Sequence, residues 1–493
     1  MFQRTLEQKF SKYYPYIVVV LMALLHLPFI TADPDAEVST SSRGAWTDEG
    51  LNTVQVRNFV NHGYLSFDEC DNLIKTPYFG FILVPFYSLL GTHIWVGRLL
   101  ILSCTLMVLF LFLRNEETRF FGTVLAIIGL LQFHVFHYSH YSLAEMLGVA
   151  WILLGIYLLW QSSQNRHWLL LFASTACFSL AYYTKITFAY AIVIPFAVSY
   201  LQFISDRIRE RYSARPLWKD WGIQGLVTAF FAGVFYFKWY IPNKAVFDMV
   251  KANQGGGRFD IDDAWNRFSF NLDNFILTDG ITPFVILIPL VFLFLFFLRN
   301  LADEKQMLLF GFLSWFILEL HHMLLVNPPT RYLLPLFCAG LVLISFVLSE
   351  NANSLRTKAV IYVALILFGG YNASQYVSSL QRRTFQIAEV QDYLGQFDLK
   401  NETVIGGWGT TLASETNGRS IPIWVDFNPS ENPIERYNPR IVFSEHNEAE
   451  SGEAYLSKGI KLEAEADSVK QFNLWRYKVN LYWMPKKEAR PSN

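Results

Sequence analysis

"GAWTDEGLNTVQVRNF" (Gly44–Phe59) places two acids, Asp48 and Glu49, shortly after the first long apolar run of the chain. The segment is too polar to stay in lipid and too apolar to be a simple tether. Leu51, Val54, Phe59 and Val60 recur at spacings that suggest an imperfect amphipathic helix lying at a membrane interface. An acid pair at a helix start can merely complement the helix dipole. What it does here depends on which side of the membrane it occupies, and on what else collects there.

The composition is that of a membrane protein. Of 493 residues, 53% are hydrophobic, 17% aromatic and only 16% charged, against about 25% charged in soluble domains. A net charge of −1 gives no reason to expect a nucleic-acid partner. Cys70, Cys104, Cys177 and Cys338 are widely scattered, with no CxxC and no Cys/His pair, which excludes a disulfide framework and a cysteine-based zinc site. The run "YIVVVLMALLHLPFI" follows Arg4, Lys9 and Lys12 but lacks a small-x-small cleavage pattern, so it reads as a retained first helix.

Spanning helices need about 20 mostly apolar residues. Such runs fall near 14–32, 92–113, 120–138, 142–161, 167–184, 186–204, 222–241, 281–298, 306–326, 331–349 and 358–378, about 11 in all. The stretch 78–91, short and carrying Pro85, reads as re-entrant or interfacial. With the N-terminus inside, Arg114, Arg119, Arg166, the cluster Arg207 to Lys219, Arg356 and Lys358 fall on the inner side, as the positive-inside rule requires. The outer side receives the 33–91 loop, the 242–280 loop and everything after 379. There the charge density rises, and short β-rich runs ("ETVIGG", "SIPIWVDF", "PRIVFS", "GIKLEAEA", "FNLWRYKVNLYW") follow a helical "FQIAEVQDYLGQF". The expected architecture is a mainly α polytopic membrane bundle over 1–378 with a small α/β extracytoplasmic domain over 379–493. "GGWGTTL" lacks the third glycine of a dinucleotide fingerprint.

Several charged residues are expected on the outer face beside Asp48 and Glu49. Glu145 lies about one turn inside a span, where an acid is costly and a functional candidate by default, although a hydrated interfacial carboxylate reads the same way. Lys75, Lys185 and Arg331 fall at outer helix ends, where each alone would be a snorkelling cation. Arg258 and Arg267 follow a Gly255–Gly257 run in the 242–280 loop, either a flap carrying a cation or a plain connector. This inventory suits sugar transfer from a lipid-linked phosphate. The leaving phosphate needs cations rather than a general acid, and the acceptor hydroxyl needs one positioned carboxylate.

The stretch "WTDEGLNTVQVRNFVNHGYL…IKTPYFGFILVPFYSLLGTHIWVGRLLILS" resembles the first outer loop of the GT-C glycosyltransferases, in particular the protein O-mannosyltransferases and the lipid A aminoarabinose transferases. Their Asp-Glu pair, Lys-Pro-Pro, Gly and Ala-Arg-Leu read here as Asp48-Glu49, Lys75-Thr76-Pro77, Gly91 and Gly97-Arg98-Leu99. "SHYSLAEMLGVAW" resembles their second acidic site, giving Glu145. "YYTKITFAY" resembles their Lys-Gly turn, and "PPTRYLLPLF" their Arg-Tyr-x-x-Pro segment. The resemblance implies that Asp48 activates the acceptor and that Lys75 binds the donor phosphate. Glu49 and Glu145 are the candidate supporting acids, Lys185, Arg258, Arg267 and Arg331 the further candidate phosphate ligands, and a single displacement would invert the anomeric centre. Thr76, Ile186 and Glu145 depart from the family pattern.

The donor would be a polyprenyl-phosphate sugar. The acceptor would be a lipid, glycan or protein hydroxyl, and the membrane a bacterial inner membrane with the C-terminal region outside. His134, His137 and His140 recur at three-residue spacing, which could bind a metal but fits interfacial histidines beside Tyr138 and Tyr141 better. Glu319 and His322 read as a charge-paired contact inside the bundle or a contribution to phosphate binding, so a divalent metal is compatible with the sequence but not implied. The rival reading from another class is a transporter or lipid flippase using Glu145 and Glu319, which the lack of internal repeats disfavours. A non-catalytic scaffold would need no role for Asp48.

Overall fold

The computed structural model describes all residues except 1, 39–42, 68, 166, 209–216, 254–260, 274–302, 326–329, 353, 424–431, 446–448 and 486–493. The span expected at 281–298, and Arg258, lie outside the described residues.

The chain begins with α1 (Phe2–His26), then α2 (Ala45–His62), α3 (Asn72–Lys75), α4 (Pro77–Leu90), α5 (Ile94–Arg114), α6 (Arg119–Leu125) and α7 (Phe133–Tyr138). It continues through α8 (Ala144–Asn165), α9 (Trp168–Thr184), α10 (Ile194–Ile208), α11 (Leu217–Phe235), α12 (Lys244–Asn253) and α13 (Ile261–Asn271). The bundle closes with α14 (Asp303–Glu319), α15 (Thr330–Glu350) and α16 (Leu355–Arg382). Among the described residues, seven helical stretches are long and apolar enough to cross a membrane, and Pro77–Leu90, Arg119–Leu130 and Trp168–Thr184 are shorter apolar helices. The protein is an integral, multi-pass membrane protein. The expected span at 120–138 is not one helix: α6 passes into a π turn at Ala126–Leu130 and restarts as α7. Likewise the 186–204 run opens with a 3-10 segment, Ile186–Val193, before α10.

One apolar core runs through the bundle. Helix α15 is its axis: 94% of its apolar window is buried, whereas α16 buries 17% of its window and leaves Leu355, Ile366 and Leu367 outward. That contrast is what a central helix and a lipid-facing helix require, because lipid replaces protein as the apolar neighbour.

After α16 the chain forms α17 (Gln386–Leu394) and a mixed sheet of β1 (Thr403–Ile405), β2 (Arg419–Ile421), β3 (Ile441–Glu445), β4 (Ser468–Leu474) and β5 (Tyr477–Trp483), in the order β2-β1-β3-β5-β4. Strands β1, β2 and β3 are parallel, and β5 runs antiparallel to both β3 and β4. β3 is buried along its whole length, while β4 is an exposed edge. Helix α18 (Gly409–Leu412) follows β1. "GIKLEAEA" is not a strand: Leu462–Glu465 form a helical turn whose amides bond back to the Lys461 and Leu462 carbonyls, with Ile460 and Leu462 buried and Glu463 accepting from the Tyr482 hydroxyl of β5. Two apolar clusters cover the two faces of the sheet, and one of them includes Trp46 from α2.

Candidate active site

Asp48 sits in the first turn of α2, which is capped by Gly44, a residue with φ 52 and ψ −136. That left-handed backbone strongly favours glycine. Asp48 and Glu49 are both buried, yet they serve different neighbours. Successive residues of a helix point about 100° apart, so one helix turn delivers two carboxylates to two places.

Glu49 is engaged by Arg98 of α5. Arg98 Nε and Nη2 lie 2.8 and 2.5 Å from its two oxygens, and the Ser142 amide donates to Glu49 Oε1 at 2.7 Å. Arg98 Nη1 also donates to the carbonyls of Phe29, Ile30 and Ala32. Every oxygen and most donors of this pair are thereby satisfied, which a buried ion pair needs to persist. Glu49 thus ties α2 to α5, to the end of the first span and to the turn before α8. The sequence placed it as a supporting acid, and its contacts are with protein.

Asp48 faces the other way. Arg331, in the first turn of α15, donates to Asp48 Oδ2 through Nη1, and its Nε lies 3.7 Å from Glu145 Oε1. Lys185 Nζ, just past the C-terminus of α9, donates to Glu145 Oε1 at 2.7 Å and stands 4.0 Å over the Tyr332 ring. Arg331 Cζ is 5.1 Å from the same ring. Four elements, α2, α8, α9 and α15, therefore bring together two carboxylates and two cations around one tyrosine. Glu145 in the first turn of α8 and Lys185 at the end of α9 each complement their helix dipole. Arg331 does not: it adds positive charge to a helix N-terminus, an arrangement that suits an anion. Burial pushes the Asp48 carboxyl above the usual range; Arg331 opposes that rise and Glu145 adds to it.

Two expected phosphate ligands stand outside these contacts. Lys75, at the end of α3, pairs with Asp71 at 2.9 Å, one turn back in the chain. Arg267 pairs with Asp263 on its own helix. Glu319 and His322 do pair, Oε2 to Nδ1 at 2.5 Å, with Trp315 Nε1 donating to Glu319 Oε1 at 3.1 Å. His137 reaches Ser379 Oγ at 3.1 Å and lies 3.9 Å from Asp35, so it serves the junction with α16. Tyr332 and the structural role of Arg98 were not read from the sequence. An arginine five residues into an apolar span is itself a signal that would have marked Arg98.

No family model matches the sequence, and no curated protein gives a significant match. The fold does find counterparts: the chain has the GT-C fold. It is similar to ArnT from Cupriavidus metallidurans in the apo state, with a TM-score of 0.61 at 14% identity, over 94% of this chain and 97% of that one. The same protein bound to undecaprenyl phosphate gives a TM-score of 0.58 at 13% identity, over 95% and 98% of the two chains. The oligosaccharyltransferase of Archaeoglobus fulgidus is less similar, with a TM-score of 0.49 at 11% identity.

Proposed function

We propose that this protein is an inverting membrane glycosyltransferase that moves a sugar from a polyprenyl-phosphate donor to a hydroxyl on the outer side of the membrane. The observation that carries the reading is the convergence of Asp48, Glu145, Lys185 and Arg331 from four elements. The likeness to a GT-C structure that contains undecaprenyl phosphate supports the donor class.

In the resting site, Arg331 is held by Asp48, and Lys185 by Glu145. A donor phosphate approaching the two cations competes for Arg331 and frees Asp48. The acceptor oxygen then attacks the anomeric carbon, and its proton passes to an Asp48 oxygen. The bond from the anomeric carbon to the phosphate oxygen breaks, and its electron pair leaves with the polyprenyl phosphate. A phosphate leaving group needs no proton, so its developing charge is met by Lys185 and Arg331. A single displacement inverts the anomeric centre. Glu145 keeps the two cations in place while the phosphate comes and goes.

On this reading about 11 spans place the N-terminus in the cytoplasm and the 379–493 region outside, in a bacterial inner membrane. Lys75 and Arg258 complete the donor-phosphate contacts once substrate is bound. The sugar is a hexose or pentose, and the acceptor a lipid, glycan or protein. The test is transfer of labelled sugar from polyprenyl-phosphate donors in proteoliposomes to an envelope extract. Loss of transfer in Arg331→Ala and Asp48→Asn, with the protein still folded, supports the assignment; transfer that survives both substitutions contradicts it.

A further inference from the structure

We infer that the C-terminal sheet region belongs to the catalytic apparatus, its Thr410–Thr411 segment and Arg57 together setting how far Asp48 reaches into the site. The inference rests on the reading of Asp48 as the acceptor-activating base.

Asp48 and Gly50 are two residues apart, about 200° around the helix. The face of α2 that carries Thr47, Gly50, Val54 and Arg57 is therefore its back, seen from the site. That back is pressed onto α18. A Cβ on Gly50 would lie 2.3 Å from Thr411 Oγ1, 2.4 Å from the Thr411 amide nitrogen and 2.5 Å from the Thr410 carbonyl carbon. Two of these three atoms are backbone and cannot swing aside. Thr411 Oγ1 donates to the Thr47 carbonyl at 3.2 Å, one residue before the base.

Arg57 closes the contact. Its Nη2 donates to the Gly50 carbonyl at 3.2 Å and also to the Thr410 carbonyl, tying the two chains at the point where they touch. The side chain is 3% exposed, has no ion pair among the described residues, and leaves Nε without a hydrogen bond. Burial accordingly pulls the guanidinium down to about 10. A buried cation without a counter-ion is a poor way to gain stability. What it achieves is a fixed spacing between two backbones.

The remaining contacts hold the same register. Asn58 and Ser420 exchange two hydrogen bonds, of 2.9 and 3.2 Å. Trp46 is buried among Trp408 and Leu412 and stacks on Trp475, with ring centroids 6.2 Å apart and planes 10° apart. Trp475 itself holds φ 52 in the two-residue turn between β4 and β5, a conformation that costs a non-glycine residue free energy and persists only when its surroundings impose it.

The experiment uses the full-length protein in proteoliposomes, with labelled polyprenyl-phosphate sugar, and compares wild type with Gly50→Ala, Arg57→Met and Arg57→Lys. A methyl at Gly50 must push α2 off Thr410–Thr411, and misplacing a reacting group by an ångström costs on the order of 100-fold in rate. The expected result is a kcat lowered about tenfold or more in Gly50→Ala with the donor KM nearly unchanged. The acid limb of kcat/KM should also move to lower pH as water reaches Asp48. Arg57→Lys should recover part of what Arg57→Met loses, which keeps the inference testable if Gly50→Ala does not fold. Wild type active, Asp48→Asn inactive, and kcat retained in both Gly50→Ala and Arg57→Met would overturn the clamp while leaving the function intact. Wild type that transfers no sugar from any donor would overturn the functional reading itself.

Discussion

Asp48 and Arg331 meet as a partly buried ion pair across 283 positions of sequence, one from an interfacial helix and one from the first turn of the central helix of the bundle. The pair has the character of a latch. Arg331 engages Asp48 through Oδ2; under the proposed function, that contact must give way before Asp48 takes a proton and Arg331 holds a phosphate. On the proposed function, a donor phosphate would meet both requirements at once.

The two lysines proposed for the donor phosphate are not equivalent. Lys185 is within the charge cluster, whereas Lys75 is paired with Asp71 beside its own helix. Lys185→Ala should therefore raise the donor KM and lower kcat together, by about 100-fold or more in kcat/KM, as loss of a charge stabiliser does. Lys75→Ala should act mainly through KM and by a smaller factor. Steady-state kinetics on the two variants decides this, and a larger defect in Lys75→Ala would move the phosphate toward α3.

The pH dependence follows from burial of Asp48. Its carboxyl is raised above the ordinary aspartate value of about 3.9, chiefly by desolvation. A base must be deprotonated to act, so kcat/KM should fall as pH drops through the raised value, placing the acid limb above about 4. Glu145 contributes to the rise. Glu145→Gln removes that contribution, and the limb should move to lower pH. A profile flat down to pH of about 4 would contradict the assignment of Asp48.

Much of this was legible in the sequence. Asp48, Glu145, Lys185 and Arg331 stand out because charge at the end of an apolar run is costly and needs a reason, and the structure brings all four together. Partner choice was not legible. Nothing in "TDEG" says that Asp48 turns toward Arg331 and Glu49 toward Arg98, since that depends on the rotation of α2 against α5 and α15. The sheet was readable where β-branched residues are dense, as in β3, and misread at Leu462–Glu465, where an alternating pattern became a helical turn.

The Glu49–Arg98 pair should matter for folding rather than for turnover. Both side chains are almost fully buried, at 1% and 3% exposure. Glu49→Gln leaves an uncompensated guanidinium among three backbone carbonyls, and breaking such a pair costs about 3–5 kcal/mol. Thermal unfolding in detergent should show a clearly lower midpoint for Glu49→Gln and for Arg98→Met. Wild-type unfolding combined with lost transfer would instead place Glu49 in the chemistry.

The central claim is that Asp48 takes the acceptor's proton. Its most direct test is the release of labelled sugar from polyprenyl-phosphate donors in proteoliposomes, with an envelope extract as acceptor, comparing wild type with Asp48→Asn. Removing a general base costs about 100- to 10,000-fold. The account predicts a loss of that size with donor binding preserved and an unchanged unfolding midpoint. Transfer by Asp48→Asn at the wild-type rate would contradict it.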